Sequence, residues 1–209
     1  MTIFLYVTDT LADWEIAFLT AELYSKRFFA DKKTDCKIVK TGITDKPVTT
    51  MGGMKIIPDC TVDDIVLKDD DILVLPGADT WLSPVHDRIL EIASKRIQAG
   101  LPVAAICGAT AGLARTGALN GRKHTSNDVL FLKQTVPSYT GETLYVQAPA
   151  VSDRNLVTAS GQAPIMFAYE ILKLLHVFRP DTLEAWKNLY LTNKPEYFYG
   201  LMQSLSAAS

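Results

Sequence analysis

The sequence predicts an α/β protein in three layers, with helices on both faces of a mostly parallel sheet and a helical extension at its C-terminal end. Two observations point there. Short apolar runs alternate with segments of helical periodicity along most of the chain. Composition is that of an ordinary globular domain, with 209 residues, 48% hydrophobic and 21% charged. That balance excludes a disordered tail, a collagen-like repeat and a disulfide-dense miniprotein. The net charge of −2 carries no electrostatic footprint for nucleic acid or an anionic membrane.

The elements follow in order. Ile3 to Val7 reads as a strand buried on both faces. Asp13 to Phe29 reads as a helix, with Ile16, Leu19, Leu23 and Tyr24 at helical spacing and Thr10 or Asp13 as its cap. Cys36 to Val39 is the next strand, and Val48 to Ile57, with Gly52-Gly53, a hairpin or irregular pair. Ile72 to Leu75 is a buried strand ended by Pro76-Gly77. Val85 to Gln98 is a helix with Val85, Ile89, Ala93 and Ile97 on one stripe, stopped by Gly100. Pro102 to Ile106 is a strand and Ala109 to Ala118 a short helix. His124 to Ser126 is a short strand and Asp128 to Thr135 a helix. Leu144 to Val151 and Leu156 to Ala159 are strands, and Ala163 to Leu175 is a strongly apolar helix. The domain expected from this runs over 1–175. Residues 176–209 form its extension, with amphipathic helices over Pro180 to Leu191 and Pro195 to Leu205 that pack on the domain, wall the site or meet a partner.

Ligand chemistry in an open sheet gathers beyond the carboxyl ends of its strands. The loops after Val7, Leu75, Ile106 and Ala159 are therefore the ones to watch. No signal peptide or membrane span is expected, because Asp9 and Asp13 follow the first apolar run and glycines break the longest uncharged stretch. Three cysteines without paired spacing suit a reducing compartment, so a cytoplasmic location is expected. Cys36 and Cys60 lack a close Cys or His, and no phosphate loop is present, so neither a metal nor a cofactor is expected.

One constellation carries chemistry. Ala105-Ile106-Cys107-Gly108-Ala109 joins a buried strand to a short helix. A nucleophile on so tight a turn needs small neighbours two residues away on each side, which Ala105 and Ala109 supply. The helix N-terminus is expected to pull the thiol below its usual pKa.

These residues resemble the elbow region of the ThiJ/PfpI superfamily, whose members include PfpI-type intracellular peptidases and the parkinsonism-associated deglycase and chaperone proteins. Gly112-Leu113-Ala114, Gly117-Ala118-Leu119 and Gly121-Arg122-Lys123 continue the likeness. Asp13-Trp14-Glu15, Leu75-Pro76-Gly77-Ala78 and Asn155 to Gly161 match three further segments in colinear order. The resemblance implies a flavodoxin-like sheet of the class I glutamine-amidotransferase type, with Cys107 as nucleophile and Glu15 hydrogen-bonded to it. It implies an oxyanion pocket from backbone amides of Gly77 or Ala78 and of Gly108. It also implies a homodimer.

The chain departs from the family pattern at the base. Gly108 stands where PfpI-type peptidases carry His, and Asn127, in Thr125-Ser126-Asn127, stands where many other members carry it. His124 and His86 are the remaining candidates for a base or pocket residue, although strand alternation turns His124 away from Asn127's side. Two function classes follow. In one, Cys107 attacks a peptide or small carbonyl substrate, as a cysteine hydrolase or a glyoxalase- or deglycase-like enzyme. In the other, the protein is a redox sensor or stress chaperone that uses oxidation of Cys107.

Overall fold

The computed structural model describes residues 1–206. Five apolar runs form the heart of one sheet: β1 (Thr2–Tyr6), β2 (Lys37–Gly42), β6 (Ile72–Leu75), β7 (Val103–Ile106) and β9 (Leu156–Ala159). Their spatial order is β2-β1-β6-β7-β9, all parallel. In chain order that is the 2-1-3-4-5 winding of flavodoxin-like sheets, with its switch point between β1 and β6. β5 (Cys60–Thr61) adds a parallel edge beside β2, and β8 (Ala150–Asp153) an antiparallel edge beside β9. A separate pair, β3 (Val48–Thr49) and β4 (Lys55–Ile56), is the hairpin expected around Gly52-Gly53.

Side-chain alternation sends each strand into two cores. Ile3, Leu5, Val74, Ile106 and Ala159 face α1 (Asp13–Ser25) and α5 (Pro164–Leu174). Phe4, Tyr6, Leu75, Val103 and Ala105 face α2 (Asp87–Gln98), α3 (Gly108–Arg115) and α4 (Val129–Thr135). The expected three-layer α/β architecture with C-terminal helices is present. α6 (Pro180–Thr192) and α7 (Pro195–Ser206) pack on the α1–α5 side, where Trp186 and Leu201 are buried. No described helix is long and apolar enough to cross a membrane.

Several boundaries differ from the sequence reading. α1 stops at Ser25 because Lys26 turns left-handed, and Tyr24 lies on its solvent face instead of in the core. Neither Thr10 nor Asp13 caps it. The Thr10 hydroxyl accepts from Asp79 N–H, the Asp13 carboxylate accepts from Gly52 N–H, and Ala12 is the N-cap. The first turn before α2 is a separate 3₁₀ turn over Pro84–His86 that leaves Val85 exposed. His124 to Ser126 makes one isolated bridge, His124 to Tyr145, and no strand. The strand expected over Leu144 to Val151 begins at Ala150, since the left-handed Arg154 closes a hairpin that sets its register against β9.

Candidate active site

Cys107 sits between β7 and α3 with φ 58° and ψ −127°. A residue with a Cβ pays strain for that backbone, as nucleophile elbows do. Its own N–H is held by Ala159 O at 3.0 Å, which docks the turn on the neighbouring strand. Close packing also demands small residues in the helix that follows. Trp81 lies under α3, where a Cβ on Gly108 would stand 3.1 Å from its ring and one on Gly112 only 2.8 Å. The Trp81 indole N–H donates to Pro76 O at 2.8 Å, so one side chain braces both the elbow helix and the Pro76-Gly77 loop. Sequence reasoning missed Trp81. Its signal was the Gly108–Gly112 spacing, which opens one face of a helix to a large ring.

α1 starts just past β1 and aims Glu15 at the thiol from across the switch point. Glu15 is fully buried. Its Oε2 accepts from Gly77 N–H at 2.6 Å, while Oε1 has no N–H or O–H donor and faces the Cys107 thiol. Gly161 has room only for glycine, because an added Cβ would stand 2.8 Å from Cys107 Sγ and 3.1 Å from Glu15 Oε1. The unpartnered oxygen and the sulfur thus lie on one small patch of backbone. Trp14, next to Glu15, donates to Gly161 O at 3.1 Å and ties that turn to α1.

Asn127 completes the group. Its Nδ2 donates to Cys107 Sγ at 3.3 Å and its Oδ1 accepts from Gly161 N–H at 2.9 Å. The segment before it is pinned to the elbow by hydroxyls. Ser126 and Thr110 are 2.6 Å apart, and Thr110 donates to Cys107 O. The structure therefore brings together Cys107, Glu15, Gly77, Gly108 and Asn127. It does not bring in the histidines. His86 is buried with Nδ1 on the Tyr6 hydroxyl at 2.7 Å and Nε2 on the Thr80 hydroxyl at 2.9 Å. His124 is buried with Nδ1 on Arg122 O and Nε2 on the Tyr139 hydroxyl. Both rings spend both nitrogens away from the thiol, and burial keeps both pKa values below the usual.

These contacts narrow one expectation and correct another. Gly77 N–H already serves Glu15, which leaves Ala78 of the two loop amides named from the sequence. The thiol is held above its usual pKa, not pulled below it by its helix terminus. Burial pushes it up, Asn127 pulls it down, the Glu15 carboxylate pushes it up, and Gly108 N–H pulls it down. Burial also pushes Glu15 up against the pull of Gly77. A pocket that resists two negative charges keeps one proton on the Glu15–Cys107 pair. Cys36 and Cys60 are free and distant in sequence from this group, and no metal-binding cluster occurs among the described residues.

Residues 1–174 match the sequence profile of the DJ-1/PfpI family. The chain belongs to the DJ-1/PfpI family. Among DJ-1/PfpI relatives, a Bacillus subtilis protein named "Uncharacterized protease YoaZ" is 48% identical over 204 residues, which span 98% of this chain and 97% of that protein. The crystal structure of a thiJ/pfpI family protein from Bacillus anthracis has a TM-score of 0.94 at 48% identity, covering 98% of this chain and 97% of that one. The DJ-1 superfamily protein Atu0886 from Agrobacterium tumefaciens has a TM-score of 0.78 at 33% identity, covering 93% and 100%.

Proposed function

We propose that Cys107 is the nucleophile of an enzyme acting on small electrophilic carbonyls, in the manner of a glyoxalase or deglycase. The observation that carries this reading is the pairing of the strained thiol with Asn127 and a buried carboxyl instead of a histidine. With the shared proton on Glu15, sulfur holds the charge and accepts from Asn127 and Gly108. The thiolate forms a C–S bond to an aldehyde carbon, and the C=O π pair moves to oxygen. The Ala78 amide, joined by the Gly108 amide once sulfur has given up its charge, stabilises that oxyanion. Glu15 then gives it the proton, which yields a neutral hemithioacetal and leaves a carboxylate able to take a proton from the adjacent carbon.

The name of the Bacillus subtilis relative favours a second reading, a cysteine peptidase. Amide hydrolysis asks more of the site, because the leaving nitrogen must be protonated, and no imidazole is at hand. Wild type and Cys107→Ala are to be assayed with methylglyoxal, a peptide panel and peroxide. We expect Cys107-dependent aldehyde conversion, with complete loss in the variant. Peptide cleavage that depends on Cys107 turns the reading to peptidase, and peroxide-dependent thiol oxidation with neither turnover turns it to a redox sensor or chaperone. The homodimer and the cytoplasmic location belong to the same proposal. Exposed Trp14, Met51, Met54 and Tyr24 around α1 give a dimer an apolar face, and sedimentation velocity tests it.

A further inference from the structure

Beside the thiol lies a cavity of about 370 Å³ lined by Ser126, Asn127, Gln147, Ala148, Pro149, Ser160, Gln162 and Ala163. It shares the Asn127 wall with Cys107, whose sulfur is 3.3 Å from Asn127 Nδ2. Ser160 and Gln162 flank Gly161, the residue packed against that sulfur. The lining is polar yet carries no charged side chain. Ser160 Oγ donates to Gln162 Oε1 at 3.0 Å, and Gln162 is exposed. The Gln147 amide has no protein partner among the described residues and is exposed at the rim.

We propose that this cavity is the subsite for the part of the substrate next to the reacting carbonyl, and that it takes an uncharged hydrogen-bonding group, a carboxamide or a hydroxyl. This rests on Cys107 being the nucleophile. The physical reason is one of matching. Amides and hydroxyls in the lining exchange bonds with a neutral polar group at little cost. A carboxylate or ammonium finds no counter-charge there. The pair beside the cavity already resists a second negative charge, which counts further against anions. Substrates bearing phosphate or carboxylate are therefore selected against.

The test measures labelling rates at Cys107 by mass spectrometry, each divided by the rate for a free small thiol. The probes are iodoacetamide, 2-iodoethanol, iodoacetate and 2-bromoethylamine. We expect the better of the two neutral probes to exceed each charged probe by about tenfold, and whichever is faster tells amide from hydroxyl. Gln147→Lys should raise the relative rate for iodoacetate about fivefold, and Gln147→Glu should do the same for 2-bromoethylamine. Gln147 is exposed, so neither variant threatens the fold. Labelling of Cys107 that ignores probe charge, in wild type and in both variants, overturns the subsite alone. No labelling by any probe overturns the nucleophile and this proposal with it.

Discussion

α1 carries two buried glutamates, Glu15 and Glu22, and they differ in one respect. Every face of Glu22 is engaged. Arg27 Nε reaches Oε2 at 2.9 Å, Arg27 Nη2 reaches Oε1, and Trp186 Nε1 donates to Oε1 at 2.9 Å. Tyr190 adds a contact to the same guanidinium. Glu22 therefore fastens the C-terminal helices to the sheet domain, a structural task. Glu15 has one oxygen satisfied by Gly77 and the other left against a thiol. Burial alone does not mark a functional carboxylate. The incomplete hydrogen-bond shell does, because an unsatisfied acceptor is costly and persists where chemistry uses it.

The comparison is broken most sharply at Glu22. Glu22→Leu strips a buried indole N–H and a guanidinium of their acceptor, and we expect a loss of about 3 kcal/mol in stability by denaturant unfolding. The Cys107 labelling rate in the folded protein should not change. A variant that keeps its stability would make Glu22 dispensable to the clamp. Glu15→Gln should act in the opposite sense. It removes the carboxylate that pushes the thiol up and leaves an amide to donate to sulfur. The sign is therefore downward: the midpoint of Cys107 alkylation should move to lower pH by about one unit, with stability retained. An unmoved midpoint would take Glu15 out of the pair. Trp186→Phe is the mildest of the three. It keeps most of the ring packing with Phe18 and Tyr190 but drops one bond to Glu22, so about 1 kcal/mol is expected by thermal or denaturant melts.

Legibility differs in the same way across the molecule. β1, β6, β7 and β9 were readable because a strand buried on both faces must be apolar along its whole length. β5 and β8 escaped. β5 is two residues of edge, and β8 is mixed in polarity because one side meets solvent and its register comes from the Arg154 turn. Cys107 was readable from its small neighbours and its family likeness. Asn127 was readable from the family position it occupies, but its bond to the sulfur was not, since the Thr110–Ser126 tie and the Gly161 N–H set its aim.

Local sequence determined which segments are strands and helices, the tight turn at Cys107 and the absence of histidine at the two family positions. Those are consequences of periodicity, residue size and residue identity, all of which act over a few positions. Tertiary structure alone decided that His86 turns away, that Gly77 serves Glu15, and that Glu15 and Glu22 part ways. Most of these depend on groups that meet across 20 to 164 residues of chain, as with Asn127 at Cys107 and Trp186 at Glu22. No short-range pattern records that meeting, because it is made by the packing of layers.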